Sequence, residues 1–156
     1  MSQLVRIDLD SVIAKVRTAL ENFPQVAGAY LFGSALELCR PESDIDVGLV
    51  LEPGINPDSF EADRLEAEIA LALTPLDGHP FDIVVLNPHN IIFCFEVIKS
   101  GRLIYCRDRE RITDVLEYVS RHYPDVYPRY RQALDEIMEE IDSFPTKQKE
   151  GALLWD

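Results

Sequence analysis

Two apolar runs, Val26 to Phe32 and Asp44 to Leu51, flank a glycine–serine stop at Gly33-Ser34 and carry a pair of aspartates, Asp44 and Asp46, one pleat repeat apart. Runs of this length with so sharp a polar stop read as buried strands entering tight turns. Side chains alternate along a strand, so Ile45, Val47 and Leu49 face one way while Asp44 and Asp46 face the other. The segment therefore calls for a buried sheet with two carboxylates side by side at the start of one strand.

The rest of the chain supplies helices to cover such a sheet. Asp8-Leu9-Asp10-Ser11 opens a segment in which Val12, Val16, Ala19 and Leu20 recur at helical spacing until Phe23-Pro24. Asp58 or Ser59 can cap a second helix with Leu65, Ile69, Ala72 and Leu73 on one face, ended at Thr74-Pro75. Phe81 to Leu86 reads as a third strand, Ile91 to Ile98 as a buried helix, and Leu103 to Cys106 as a short fourth strand. Ile112, Val115, Leu116 and Val119 mark one further helix, and Tyr130, Leu134, Ile137, Met138 and Ile141 another. The order predicts one α/β (α+β) domain over residues 1–142, a small mixed sheet of about four strands with helices packed on it, followed by a tail at 143–156.

At 156 residues the chain can bury a core without disulfides or a structural metal. No apolar run approaches a membrane span of roughly 20 residues, and the N-terminus lacks the order of a secretory signal, so a cytoplasmic location is expected. Cys39, Cys94 and Cys106 match neither a disulfide framework nor a zinc motif, and His79, His89 and His122 are equally scattered; all read as structural or surface groups. The formal net charge of −13 disfavours direct, non-specific nucleic-acid binding and suits a basic partner.

Two like charges crowded at a strand start need a compensating cation or hydrogen-bond donors. Hard Mg²⁺ or Mn²⁺ suits carboxylate oxygens and brings substrate phosphates as further ligands, so Asp44 and Asp46 point to phosphate chemistry. Gly33 lets backbone approach a phosphate, while the Ser34 hydroxyl and the N–H groups of a following helical turn can bind its oxygens. Asp82 is the lone charge of an apolar strand, where a solvated position fits poorly; a buried ion pair with an arginine is the structural alternative.

Strand, Gly-Ser, spacer, Asp-x-Asp and a lone Asp in a later strand together resemble the polymerase-beta-type nucleotidyltransferase superfamily. Within it the likeness is to minimal nucleotidyltransferases, whose genes commonly accompany HEPN-type ribonuclease toxins. It extends through the segment from Phe81 to Asn87 and that from Lys99 to Asp108, and covers the chain to about residue 110.

The resemblance implies a metal, Mg²⁺ or Mn²⁺, held by Asp44, Asp46 and Asp82, with Asp82 as activator of the acceptor hydroxyl and with Gly33 and Ser34 holding the triphosphate. It further implies that AMP passes from ATP to a tyrosine of a HEPN-type toxin, which makes the chain an antitoxin and a homo- or hetero-oligomer conceivable. Two departures stand against this pattern. Ala35-Leu36-Glu37-Leu38 follows the Gly-Ser where many relatives have an arginine, and the nine residues between Ser34 and Asp44 are one fewer than is common. Arg40 could supply the missing cation, whereas Glu37 favours an inactive antitoxin that acts by contact. Transfer to a small molecule such as an aminoglycoside is a further alternative, although it usually calls for an added acceptor domain. Tyr118, Tyr123, Tyr127 and Tyr130 cluster, which makes self-modification conceivable.

Overall fold

The computed structural model describes residues 3–122 and 135–139. The first strand, β1, is only Val5–Arg6, and α1 follows over Leu9–Leu20. Asp8 caps α1: its carboxylate accepts the Asp10 N–H at 3.2 Å and the Ser11 hydroxyl at 2.7 Å. Val12, Val16 and Leu20 are fully buried along one side of the helix, each contributing roughly 1.5–3 kcal/mol of apolar burial.

β2 runs over Val26–Phe32 and passes into a single 3₁₀ turn, Gly33–Leu36; β3 is Leu38–Cys39 and β4 is Ile45–Leu51. α2, Phe60–Ala72, is capped by Ser59, whose hydroxyl accepts the Ala62 N–H at 3.1 Å. β5 covers Phe81–Val85, α3 Ile91–Ser100, β6 Arg102–Cys106 and α4 Arg109–Arg121. Asp108 caps α4 by accepting the Arg111 N–H at 3.0 Å.

Four strands form the main sheet in the order β5-β4-β2-β6; β4 and β5 are parallel and the other neighbours antiparallel. The expected mixed sheet is present, with helices on both faces. Ile45, Val47 and Leu49 pack with Val12, Val16 and Leu20 of α1 and Leu65 and Ile69 of α2 on one face. Tyr30, Val50 and Leu103 pack with α3 and α4 on the other, through Cys94, Val97, Ile112, Val115, Leu116 and Val119. The alternation read from the sequence is thus the division between two core layers.

Three details differ from the reading of the sequence. β1 and β3 pair as a separate two-stranded ribbon, Val5 opposite Cys39 and Arg6 opposite Leu38; strands of two residues carry no period by which to find them. Ala72 is exposed and Ala62 takes its place on the buried side of α2, because the helix ends at Ala72 and the backbone turns at Leu73. Asp82 is exposed rather than shielded, because β5 is the sheet's edge strand and Asp82 is its second residue. Of the last expected helix, residues 135–139 are helical, with Ile137 and Met138 packed against the α3–α4 layer. Tyr130, Leu134, Ile141 and the boundary at 142/143 lie outside the described residues.

Candidate nucleotide and metal site

The proposed site gathers at one end of the main sheet. β2 ends there and β4 and β5 begin there, and the register brings Phe32 opposite Asp46 and Asp46 beside Asp82. Side chains of register partners rise from the same face, so Asp46 and Asp82 are neighbours over the α3 side of the sheet. Asp46 is half-buried and Asp82 exposed.

Burial raises the Asp46 carboxyl from its ordinary 3.8 to about 6, helped by the charges of Asp82 and Asp44 and by a side-chain hydrogen bond with Asp82. The site therefore carries more negative charge than it can stabilise by itself. Asp44, exposed, stands just ahead of β4. Among the described residues no three carboxylate, thiol or imidazole groups converge into a ready-made metal cage. Asp46 and Asp82 still fit a hard divalent ion, since their oxygens are the right donors and their crowding is what a cation relieves, with Asp44 two residues away. Such ions keep waters and substrate phosphates as their remaining ligands.

Gly33 is fitted to this acid. Its φ of +76° lies in the left-handed region, and a Cβ added there would collide with Oδ2 of Asp46. Glycine takes this path, with the carboxylate against it, free of the strain that a side chain would meet. Ser34 follows, exposed, and its carbonyl accepts the Glu37 N–H at 3.0 Å, which closes the turn. Glu37 is itself exposed.

His79 is structural, as the sequence suggested, and the structure shows what it ties together. Among the described residues it is the buried polar side chain, and its Nδ1 lies 2.9 Å from the Ser43 carbonyl oxygen. Beside it, the Ile45 N–H donates to the Pro80 carbonyl at 2.8 Å. The turn through Asp77 and Gly78, both at positive φ, sets His79 for this contact, with Leu76 and His79 exchanging backbone hydrogen bonds at 2.8 and 2.9 Å. The two links hold the entry of β4 against that of β5, and so hold the aspartates together. No pattern in the sequence announces a contact between His79 and Ser43, 36 residues apart.

A model of the family described as polymerase beta, nucleotidyltransferase matches residues 14–110. The chain belongs to that family. The matched stretch runs from within α1 to the start of α4 and contains every residue of the candidate site. Among solved structures, the complex of tri-AMPylated Shewanella oneidensis HEPN toxin with MNT antitoxin contains a chain of the same fold. It is 20% identical, with 84% of this chain and 99% of that chain covered at a TM-score of 0.50. A toxin–antitoxin structure with AMP-PNP is similar at 21% identity, 81% and 98% coverage and a TM-score of 0.50. No curated protein sequence matches the chain significantly.

A cavity of about 640 Å³ lies elsewhere, lined by residues that include Pro53, Pro88, His89, Arg111 and Tyr118. Arg111 Nε donates to the Leu51 carbonyl at 3.0 Å, at the far end of β4, about 17 Å along the strand from Asp46. The Tyr118 hydroxyl lies 3.2 Å from His89 Nδ1 at that far end, so it is badly placed for modification by its own chain. Tyr123, Tyr127 and Tyr130 lie outside the described residues.

Proposed function

We propose that this chain is an antitoxin that transfers AMP from ATP to a tyrosine hydroxyl of a HEPN-type ribonuclease toxin. The observation that carries the reading is the register of Asp46 with Asp82 beside the left-handed turn at Gly33, in a member of a nucleotidyltransferase family. Support for the partner comes from the likeness in fold to a chain of the complex of AMPylated HEPN toxin with MNT antitoxin and to a chain of a toxin–antitoxin structure with AMP-PNP.

In this reading the turn at Gly33 and Ser34 receives the triphosphate, offering backbone N–H groups and a hydroxyl to its oxygens. Asp46, Asp82 and Asp44 would hold Mg²⁺ or Mn²⁺, which when bound neutralises phosphate charge and stabilises the attacking and leaving oxygens. The acceptor hydroxyl oxygen bonds to the α-phosphorus, the bond from that phosphorus to the α,β-bridging oxygen breaks, and pyrophosphate leaves with the electron pair. Asp82, exposed at the sheet edge where an acceptor can approach, takes the hydroxyl proton and passes it to solvent. Asp46 is held by its neighbours and acts on charge and position. A cytoplasmic location follows from the reading, since the toxin's RNA targets are there; no described helix is long and apolar enough to cross a membrane.

A second reading, an inactive antitoxin that acts by contact, rests on Glu37, which is exposed at the end of the phosphate turn and would repel the triphosphate. The two are separated by label transfer from α-³²P-ATP with Mg²⁺ to co-purified partner protein, with the Asp44→Asn, Asp46→Asn double variant as control. Label on the partner that disappears in the variant supports transfer. A partner that co-purifies and stays unlabelled with the wild-type chain would replace the enzyme by the contact antitoxin.

A further inference from the structure

The carboxylates share their face of the sheet with an aromatic pair. Phe32 is the register partner of Asp46, so its side chain rises beside the acid, with Cβ atoms about 5 Å apart. Phe93 of α3 meets the Phe32 ring edge to face, with centroids 5.9 Å apart and planes at 82°. Both rings are only partly buried, although they adjoin the α3–α4 layer. Gly101 fixes their relative position: its backbone lies so close to the end of β2 that an added Cβ would stand 2.8 Å from the Leu31 carbonyl oxygen and 3.3 Å from Phe32 Cβ. α3 is thus pinned against the strand that leads into the phosphate turn.

An aromatic pair needed only for packing gains most by complete burial, and these rings leave area uncovered next to charged groups. We propose that Phe32 and Phe93 form the seat of the nucleobase, a planar heterocycle held by stacking. The inference rests on the nucleotide reading of the site and assigns the base to one place within it. Phe32 immediately precedes Gly33, so a nucleotide whose phosphates lie at the turn has its base within reach of these rings. The face of an aromatic ring accepts any base and gains most from the larger ring system, so purine triphosphates bind more tightly than pyrimidine ones.

The test compares the full-length wild-type chain with the Phe93→Ala and Phe93→Trp variants by calorimetry, with ATP, CTP and inorganic tripolyphosphate as probes, each with Mg²⁺. Tripolyphosphate has the charge but no base. Phe93→Ala is expected to weaken ATP roughly tenfold or more, leave tripolyphosphate unchanged and erase the preference for ATP over CTP; Phe93→Trp retains tight ATP binding. Equal weakening of ATP and tripolyphosphate would reduce Phe93 to a structural support, and unchanged ATP affinity would place the base elsewhere; either result overturns the assignment. A wild-type chain that binds none of the three probes overturns the nucleotide reading with it.

Discussion

Asp46 and Asp82 stand in register on parallel neighbouring strands, with the Asp46 carboxyl raised to about 6 by burial first and by the charges of Asp82 and Asp44 next. The sheet brings together two groups that repel when both are charged, and the surrounding core, with the His79–Ser43 and Ile45–Pro80 hydrogen bonds, keeps them there. Such a pair weakens the protein whenever both carboxyls are charged and no cation offsets them.

The first prediction concerns the metal-free chain. Between about pH 4 and 6 Asp46 holds a proton in the folded state and has lost it in the unfolded one, so stability falls as pH rises through that window and levels off above it. Asp46→Asn should remove this fall. At pH 7 the variant should be more stable than wild type by about 1 kcal/mol, after discounting for exposure of the carboxyl, or roughly 3 °C in Tm. Thermal melts in EDTA at pH 4.5 and 7.5 check this; parallel behaviour of the two proteins would show that Asp46 is not strained.

Ligand binding should move the other way. The Asp44→Asn, Asp46→Asn double variant should lose Mg²⁺-dependent ATP binding by calorimetry while keeping its far-ultraviolet circular dichroism. Binding that survives would move the nucleotide site away from the start of β4.

Gly33→Ala should destabilise the chain by about 1–2 kcal/mol, through the strained φ and the collision with Asp46. The collision makes the effect conditional: in an Asp46→Ala background part of it should vanish. Denaturant melts of the four proteins in the cycle measure the coupling, and strictly additive losses would mean that the turn and the acid are independent.

Glu37→Arg should tighten triphosphate binding severalfold at low ionic strength, with the gain shrinking as salt is added. Glu37 is exposed at the end of the Gly33–Leu36 turn, the proposed seat of the triphosphate, where reversing its charge would replace repulsion by attraction. An affinity that does not change would show that this side chain points away from the phosphates, and would remove the main argument for an inactive antitoxin.

The strand that carries Asp46 was legible in the sequence, because alternation is local: Ile45, Val47 and Leu49 had to face one core and Asp46 the other side, although the strand begins at Ile45 and leaves Asp44 exposed just ahead of it. Gly33-Ser34 was legible as a stop because few residues other than glycine tolerate the turn. The opening of α1 at Asp8-Leu9-Asp10-Ser11, a cap for α2 at Asp58 or Ser59, of which the structure uses Ser59, and the apolar stripe of α4 were readable for the same reason, since each depends on residues within a few positions. Tertiary structure alone decided what meets across the chain. The order of strands made β5 an edge and so exposed Asp82, which its apolar neighbours in sequence had suggested was shielded. The register set Asp82 beside Asp46, brought the Asp46 carboxylate against Gly33 and placed Phe32 next to the acid. Packing of α3 added Phe93, and a hydrogen bond across 36 residues brought in His79. Register and strand order are fixed by burying both faces of the sheet at once, a condition on the whole chain that no single segment contains.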